Sequence, residues 1–309
     1  MKTILISGGA GFIGSNLCHI LIHTHKVICI DNLYTGSIKN IESLLKHPNF
    51  IFINHNIIEP FTIQHKIDEI YHLACPASPK EYQKDPIFTL KTNFMGSLHM
   101  LELAKAHNAK ILLTSTSEIY GEPTISPQHE NYRGNVNTTG IRSCYDEGKR
   151  ISETLFADYA RFYGLNIRIA RIFNTYGPRM SKYDGRVVTN FISQMCENKD
   201  ITIYGNGQQT RSFCYIDDTI YGLISLMNSD CSFPINIGNT KEITIKDLVV
   251  ILQSLMPNST SKIVYKPLPS DDPTNRRPNI ELAQKFLYWK PKTKLEDGLK
   301  KTITYILQT

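Results

Sequence analysis

The 309-residue chain lacks the features that mark membrane and secreted proteins. It has no run of about 18 or more apolar residues, so we expect no membrane span. Residues 1–14 already have the pattern of a strand and a turn, which leaves no place for a signal peptide. The seven cysteines are odd in number and include no Cys-x-x-Cys pair. Scattered thiols of this kind are typical of a reducing compartment, and we expect a cytoplasmic protein.

The chain also lacks any long block of one charge. Its 34 Lys and Arg against 28 Asp and Glu leave a net charge of +6. Without a basic stripe or a known motif, we expect no nucleic-acid partner, and the excess is either scattered over the surface or gathered in a cleft for an anion.

His19 and His23 lie one helical turn apart, but no cysteine or acidic residue stands at ligand spacing. We therefore predict no metal site.

Strand-like and helix-like segments alternate along the first half of the chain, without internal repeats. Buried strands are predicted at residues 3–7, 27–31, 51–54, 70–74, 110–115 and 167–172. Helices are predicted at residues 15–23, 86–107 and 145–163. This alternation predicts an α/β fold with a Rossmann-like, doubly wound parallel sheet.

A glycine-rich turn with glycines at positions 8, 11 and 14 lies between the first strand and the first helix. Glycine permits a tight turn and a close approach of the backbone to a pyrophosphate, and the helix N-terminus attracts the phosphates. The spacing differs by one residue from G-x-G-x-x-G. Asp31 ends the second strand, where a carboxylate can accept bonds from an adenosine ribose. Because that carboxylate disfavours a 2′-phosphate, the pattern predicts NAD rather than NADP.

Tyr145 and Lys149 form a Tyr-x-x-x-Lys pair, whose members lie one turn apart on a helix. We expect the lysine, together with an oxidised nicotinamide, to lower the phenol's pKa from about 10. Tyr145 would then take a proton from a substrate hydroxyl, to which Thr116 would also bond, while Lys149 would bond the nicotinamide ribose. Such pairs also occur on helices without a catalytic role. Their place after the glycine turn and the Thr116 strand favours hydride chemistry on an alcohol.

The second half of the chain has shorter segments and more prolines after Gly177-Pro178-Arg179. We therefore predict an NAD-binding domain at 1–172 and a smaller, mostly C-terminal substrate-binding domain at 173–211 and 239–309. A segment near 212–238 is predicted to return to the first domain, with residues 213–218 as a strand and cap that rejoin the main sheet.

Several stretches resemble the extended short-chain dehydrogenase/reductase family, which acts on nucleotide sugars, and the resemblance covers almost the full chain. Within that family, the chain most resembles the UDP-glucuronate decarboxylase branch. The supporting stretches are residues 71–79, 90–93, 144–150, 170–180, 184–188 and Asp271-Asp272-Pro273.

The resemblance implies decarboxylation of UDP-glucuronate to UDP-xylose in three steps with a retained NAD. Tyr145 would deprotonate the sugar 4-hydroxyl while hydride passes to NAD. Carbon dioxide would leave from the resulting β-keto acid, giving an enolate that Thr116 and the protonated Tyr145 stabilise. Protonation and hydride return would complete the reaction, with no metal.

Ser117 and Glu118 stand where related 4,6-dehydratases have Asp-Glu, in which the Asp protonates a departing 6-hydroxyl. Ser117 cannot serve as that acid at neutral pH, and it does not repel a substrate carboxylate. Glu118 is expected to orient the sugar ring or to manage protons near C5. The alternative is a strand-end carboxylate that makes only a structural bond.

The resemblance also assigns binding residues by position. In addition to Asp31, Tyr145 and Lys149, the cofactor would contact Gly8, Gly11, Phe12, Ile13, Gly14, Asn32, Thr35, Gly36, Asn56, Ile57, Leu73 and Thr92. The UDP-sugar would contact Lys91, Ser117, Asn174, Arg186, Arg211 and Arg276. The planar guanidinium of arginine can bond both oxygens of a carboxylate or a diphosphate. The alternative for Arg211 and Arg276 is a surface salt bridge.

Two other functions stay open at this point. An NAD-dependent nucleotide-sugar 4-epimerase or 4,6-dehydratase would release no carbon dioxide from UDP-glucuronate. A catalytically silent NAD-sensing protein would usually lack the tyrosine or the lysine, and this chain has both.

The resemblance further implies a homodimer, held by a four-helix bundle that the helices at 86–107 and 145–163 would form.

Overall fold

The computed structural model describes residues 1–268 and 275–308, so the Asp271-Asp272-Pro273 stretch lies outside the described residues. The strands are β1 (Thr3–Ser7), β2 (Lys26–Asp31), β3 (Phe50–Asn54), β4 (Glu69–His72), β5 (Lys110–Thr116), β6 (Ile167–Ile172), β7 (Thr175–Tyr176), β8 (Ile201–Tyr204), β9 (Thr210–Ser212), β10 (Cys214–Tyr215), β11 (Pro234–Ile237), β12 (Glu242–Thr244), β13 (Ile263–Lys266) and β14 (Asn275–Arg276).

The helices lie between these strands, and in the described ranges none is long and apolar enough to cross a bilayer. They are α1 (Phe12–Leu21), α2 (Pro79–Tyr82), α3 (Pro86–His107), α4 (Ser143–Tyr163), α5 (Val187–Cys196), α6 (Ile216–Asn228), α7 (Ile245–Leu255), α8 (Glu281–Leu287) and α9 (Leu295–Gln308). Short 3-10 helices cover Ile38–Asn40, Glu42–Leu44 and Ser117–Tyr120.

The central sheet has seven parallel strands in the order β11-β6-β5-β4-β1-β2-β3. The chain winds outward from β1 through β2 and β3 in one direction and from β4 through β6 in the other, which confirms the doubly wound prediction. Ile4 and Ile6 belong to one hydrophobic core and Leu5 to another. Successive side chains of a strand point to opposite faces, so the sheet is buried on both sides.

The predicted bounds of strands and helices are most accurate where the sequence contains residues that cap or end the element. The predictions for β1, β6 and α3 match the observed ranges, and α4 begins two residues before the predicted start. The carboxylate of Asp85 accepts the amide of Phe88 at the start of α3, and Asn108 ends that helix with φ 51°. Helix α1 begins at Phe12, earlier than predicted, because the glycine turn leads directly into it.

The prediction that residues 213–218 rejoin the main sheet is wrong. Cys214 and Tyr215 form β10, which pairs with β7 in a separate two-stranded sheet, and helix α6 follows at once. Strand β11 is the segment that extends the main sheet, beside β6. Two residues before a helix are too few to cross to the edge of a sheet.

A small sheet in the C-terminal half has the order β12-β9-β14. Its strands β9 and β14 are parallel, and Arg211 on β9 is the partner of Arg276 on β14. Two cations that are 65 positions apart in the sequence therefore lie side by side.

A buried ion pair joins the sheet to α4 near the end of β5. The guanidinium of Arg171 donates to both oxygens of Glu153, at 3.0 and 2.8 Å, and to the hydroxyl of Tyr120 at 3.0 Å. Ser115 donates to the same carboxylate at 2.5 Å. The pair thus fixes the 3-10 helix at Ser117–Tyr120 relative to α4.

We expect Arg171→Met to lower the free energy of unfolding by about 3–5 kcal/mol, because it removes both guanidinium bonds from the largely buried Glu153 carboxylate. Urea unfolding followed by circular dichroism measures this. The double variant Arg171→Met/Glu153→Met should recover much of the loss, since it removes both charges. A wild-type midpoint for the single variant would contradict the assignment.

Candidate active site

A cavity of about 1030 Å³ opens at the carboxyl ends of the parallel strands. Residues at or just beyond the ends of β1, β2, β5 and β6 line it, including Gly8, Asp31, Thr116 and Phe173. This is the edge where open α/β sheets bind ligands, at the point where the strand order reverses. Its volume is at the upper end of the ~300–1,000 Å³ range that is usual for small-molecule sites.

The glycine turn forms one wall of the cavity with backbone alone. Gly8 has φ 72°, and a Cβ there would lie 2.8 Å from the backbone of Ala74. A Cβ on Gly14 would lie 2.2 Å from the carbonyl oxygen of Gly8. Helix α1 begins directly after Gly11, so its first amides are aimed at the turn. A side-chain-free turn at a helix N-terminus fits a pyrophosphate.

Asp31 is buried at the end of β2 and faces this turn. Its carboxylate accepts the amides of Ala10 at 2.9 Å and Leu33 at 2.8 Å. Burial raises the pKa of this carboxyl group, and those amides work against the rise. A Cβ on Gly36 would meet the carboxylate at 2.9 Å, so glycine lets the chain close over it. Asp31 lines the cavity, where it is placed to accept ribose hydroxyls.

Most of the other residues predicted to contact the cofactor also line the cavity. They are Gly11, Phe12, Ile13, Gly14, Asn32, Thr35, Asn56, Ile57, Leu73 and Thr92. Gly36 is not among the lining residues. The side-chain oxygen of Asn56 accepts the amide of Ile58 at 3.3 Å, so part of its acceptor capacity is already used.

The predicted catalytic residues meet in the middle of the cavity, where Thr116, Tyr145 and Lys149 are all buried lining residues. Thr116 ends β5, and its side chain lowers the pKa of the neighbouring Tyr145. The ammonium of Lys149 donates to the carbonyl oxygen of Thr114 at 3.0 Å. The end of the strand and the buried face of α4 therefore hold the hydroxyl, phenol and amine together.

In the protein alone, the pKa of Tyr145 lies above its usual value, and the lowering by Lys149 together with an oxidised nicotinamide stays a prediction. Burial raises the pKa of Tyr145, while the bond from Thr116 and the charge of Arg186 lower it by less. Burial also lowers the pKa of Lys149. In a desolvated site the neutral phenol is the favoured form.

Tyr82 is a site residue that the sequence analysis missed. Its ring stacks on that of Tyr145, with 5.0 Å between centroids and 4° between planes. The stack restricts the orientation of the catalytic ring. Only the Pro79 that opens α2 signals local structure here, and no sequence pattern points to this contact.

Glu118 is held by two arginines. Its Oε2 accepts from Arg142 at 2.6 Å and from Arg276 at 3.2 Å. Burial would raise the pKa of Glu118, but the charges of Arg276 and Arg142 outweigh it and lower the pKa to about 2. Glu118 therefore stays ionised at neutral pH. The sequence analysis did not select Arg142, although it stands only three residues before Tyr145.

The residues predicted to contact substrate form the other end of the cavity, with one exception. Ser117, Asn174, Arg186, Arg211 and Arg276 line it. Lys91 is exposed on α3 and is not a lining residue, because its neighbour Thr92 takes the inward position.

Several buried polar atoms at this end have no hydrogen-bond partner in the described part of the chain. They are the Ser78 Oγ, the Tyr82 hydroxyl, the Asn174 Nδ2 and the Arg276 Nε. All four residues line the cavity. An unsatisfied buried polar group costs about 1–3 kcal/mol, so such atoms mark where the polar groups of a ligand would bind.

Over the described ranges, no group of three or more His, Cys, Asp and Glu is arranged to hold a metal ion.

A glycine turn after β1, an acid at the end of β2 and a Thr-Tyr-Lys set at the strand edge define a short-chain dehydrogenase/reductase. Residues 5–302 match the family model described as GDP-mannose 4,6 dehydratase. UDP-glucuronic acid decarboxylase 1 from Danio rerio is 50% identical over 98% of this chain and 72% of its own length. UDP-glucuronic acid decarboxylase 5 from Arabidopsis thaliana is 53% identical over 96% of this chain and 86% of its own.

Solved structures agree with this class. UDP-glucuronic acid 4-epimerase from Bacillus cereus, in complex with UDP-glucuronic acid and NAD, matches with a TM-score of 0.89 and 30% identity over 99% of both chains. UDP-glucose 4-epimerase from Thermotoga maritima, with UDP-glucose, matches with a TM-score of 0.90 and 30% identity over 99% of both chains. The chain belongs to the GDP-mannose 4,6 dehydratase family and, within it, to the UDP-glucuronic acid decarboxylases.

We expect Gly14→Ala to weaken NAD binding at least tenfold, about 1.4 kcal/mol, because the new Cβ would displace the Gly8 carbonyl and deform the turn. Isothermal titration calorimetry measures the affinity. Gly164→Ala is the control for a glycine replaced without a clash, since a Cβ there has no atom within 4 Å and the φ of 65° adds only backbone strain, away from the cavity. Equal weakening by both variants would contradict the assignment of the turn.

Proposed function

We propose that the protein is an NAD-dependent UDP-glucuronate decarboxylase, a carboxy-lyase that produces UDP-xylose and carbon dioxide. Relatives at 50% and 53% identity bear the decarboxylase name. One observation carries the proposal. The Thr116–Tyr145 pair lies beside the end of the cavity proposed for the sugar, and no side chain named there can act as an acid towards a leaving group. Ser117 is neutral there, and Glu118 is locked between arginines.

NAD fits the other end of the cavity, where the glycine turn, Asp31 and Lys149 would hold it. When bound, it would supply the acceptor and then the donor of a hydride at sugar C4. Tyr145 would take the proton of the 4-hydroxyl, and Thr116 would hold that hydroxyl in line with the phenol. After this transfer Tyr145 is neutral, the form that burial favours. The neutral phenol can then donate a hydrogen bond to the oxygen that becomes an enolate.

Loss of carbon dioxide from a β-keto acid needs no proton donor at the departing group. The electron pair of the broken carbon–carbon bond passes to the ketone oxygen, which Tyr145 and Thr116 would stabilise. A 4,6-dehydratase, by contrast, must protonate a departing hydroxide. A hydroxyl at Ser117 and a carboxyl at Glu118 with a pKa of about 2 do not provide that acid. The described site thus favours decarboxylation over dehydration.

The UDP-sugar would bind between the two halves of the chain, which we propose to be an NAD-binding domain at 1–172 with the returning segment 212–238, and a substrate domain at 173–211 and 239–309. Arg186, Arg211 and Arg276 would meet its diphosphate and carboxylate, and Asn174 would contact the nucleotide sugar. Guanidinium forks pair well with such oxyanions. A role for Lys91 stays a prediction.

A 4-epimerase is the second candidate, because the Bacillus cereus structure holds UDP-glucuronic acid and NAD in the same fold. Such an enzyme would form the same 4-keto acid and keep its carboxylate. Product analysis separates the two.

The test is incubation of the purified protein with UDP-glucuronate carrying ¹³C at C6. We expect labelled carbon dioxide, UDP-xylose by mass spectrometry and no net NADH. UDP-galacturonate with the label retained would identify a 4-epimerase. A 6-deoxy-4-keto sugar from a UDP- or dTDP-hexose, without carbon dioxide, would identify a dehydratase.

Tyr145→Phe should lower kcat by about 10²- to 10⁴-fold, because the general base is lost while the cavity keeps its shape. NAD content, measured by absorbance after denaturation, should stay at the wild-type level. The matched control is Tyr221→Phe, at a tyrosine that is exposed on α6. Retained activity in Tyr145→Phe would refute the assigned base.

We also propose a cytoplasmic homodimer. The cysteines, which are all free, support a reducing compartment. Apolar side chains on α3 support the dimer: Ile87, Leu90 and Phe94 are 60%, 38% and 41% exposed at the spacing of one helix face. On α4, which packs beside α3, Ile151 is 41% exposed. Two such helix pairs would bury these side chains in a four-helix bundle.

Phe94→Glu should shift the protein to half the wild-type mass in light scattering after gel filtration, because a carboxylate would be buried at the centre of the bundle. Tyr221→Glu, which puts the same charge on the exposed face of α6, should leave the mass unchanged. A monomeric wild type, or a dimer that tolerates Phe94→Glu, would refute this interface.

A further inference from the structure

The imidazole of His72 is a buried titratable group to which the mechanism assigns no role. His72 ends β4, is only 2% exposed and does not line the cavity. Its Nδ1 lies 2.8 Å from the hydroxyl oxygen of Ser7 at the end of β1. Its Nε2 lies 3.2 Å from the hydroxyl oxygen of Ser97 on α3. The ring therefore joins β1 to α3 in the interior of the protein.

The hydrogen bonds continue from Ser97 into the catalytic helix. Ser97 donates to the hydroxyl oxygen of Ser152 on α4 at 3.0 Å. Ser152 donates to the carbonyl oxygen of Gly148 at 2.9 Å and to a carbonyl oxygen of α3 at 3.0 Å. Both serines are buried, and neither lines the cavity. Because Gly148 directly precedes Lys149, the network ends in the part of α4 that carries Tyr145 and Lys149.

The other end of the network lies at the wall of the cavity that the glycine turn forms. Ser7 directly precedes Gly8, and its hydroxyl oxygen accepts the amide of Ala74 at 3.4 Å. Its carbonyl oxygen accepts the amide of Leu73 at 3.0 Å. Gly8, Leu73 and Ala74 all line the cavity. Ser7 thus holds together the ends of β1 and β4 that form this wall.

The direction of each hydrogen bond follows from the number of protons. Ser97 gives its one hydroxyl proton to Ser152, so its oxygen accepts the Nε2 proton of His72. Burial and the charge of Lys149 lower the pKa of His72 to about 3, so the ring is neutral near neutral pH. A neutral imidazole has one donor and one acceptor, and its Nδ1 therefore accepts from Ser7. Both polar atoms of the ring are used to join the two halves of the site.

We propose that His72 is a positioning residue that fixes the glycine turn relative to the part of α4 that carries Tyr145 and Lys149. The inference rests on the proposed function, because it takes these two residues as the groups that act on the sugar and on NAD. NAD would be placed by the turn after β1, whereas the phenol and the amine are placed by α4. An error of about 1 Å between such groups can lower a rate by about 10²-fold. Because the hydrogen bonds are connected in series, the loss of any one of them disconnects the two ends.

The test removes one hydroxyl on each side of His72, with Ser7→Ala and Ser97→Ala. The rate is followed as the disappearance of whichever nucleotide sugar the wild type converts, with NAD in excess. Each variant should lower kcat by about 10- to 100-fold. The KM for the nucleotide sugar should not change, because no residue proposed to bind that sugar belongs to the network.

The double variant Ser7→Ala/Ser97→Ala separates positioning from a merely structural role. A network in series is already broken by either change, so the double variant should be no slower than the slower single variant. Two independent structural losses would instead multiply. His72→Asn, whose amide oxygen can replace Nδ1 but whose side chain is too short to reach Ser97, should be as slow as the double variant.

Thr302→Val is the matched control, because it also removes a buried hydroxyl. Thr302 lies on α9 away from the cavity, and its hydroxyl donates to the carbonyl oxygen of Gly298 at 2.8 Å. This variant should lose stability in urea and keep the wild-type kcat. Losses that multiply in the serine double variant, or a wild-type kcat in both single variants, would overturn the proposal even if His72→Asn fails to fold.

The two proposals fail separately. Release of carbon dioxide by the wild type, with serine losses that multiply, would remove only the role of His72. Conversion of UDP-glucuronate to UDP-galacturonate, with serine losses that do not multiply, would remove only the decarboxylase assignment.

Discussion

The ion-paired carboxylate of Glu118 is the constraint on which the sugar end of the cavity depends. It joins three segments that are distant in sequence: the 3-10 helix after β5, Arg142 at the entry to α4, and Arg276 on β14. Arg276 is only 1% exposed, and a charge so buried is tolerated only with partners. Glu118 therefore fastens the C-terminal half of the chain to the main sheet, and the same bonds take away its ability to deliver a proton.

That loss of acidity is what suits the site to its chemistry. Burial favours the neutral phenol of Tyr145, and the arginines favour the ionised form of Glu118. The proton thus resides on the group that faces the developing enolate and is absent from the group near the sugar's far end. Loss of carbon dioxide needs no acid at the departing group, whereas loss of hydroxide needs one there. The two reactions begin with the same oxidation, so the proposed function differs from dehydration in this second requirement.

Much of this could be predicted from the sequence, because several signals are local. The glycine turn, the bounds of α3 and the Thr116, Tyr145 and Lys149 set follow from spacing and capping within single elements. The stacking of Tyr82 on Tyr145 and the ion pair between Arg142 and Glu118 are contacts between different elements, and no local sequence pattern predicts them. The same limit explains the wrong prediction for residues 213–218, where strand propensity gave no information about the partner strand.

Comparison with a solved epimerase shows that enzymes forming different products share this fold. A 4-epimerase at 30% identity keeps the fold with a TM-score of 0.89, so the backbone alone does not choose the product. The cofactor end is built from backbone and one carboxylate, and such a wall can serve any reaction of the class. The opposite end is built from side chains of the 3-10 helix after β5, the entry to α4, β9 and β14, which long-range packing brings together. The two ends of the cavity therefore differ in how far local sequence determines their structure.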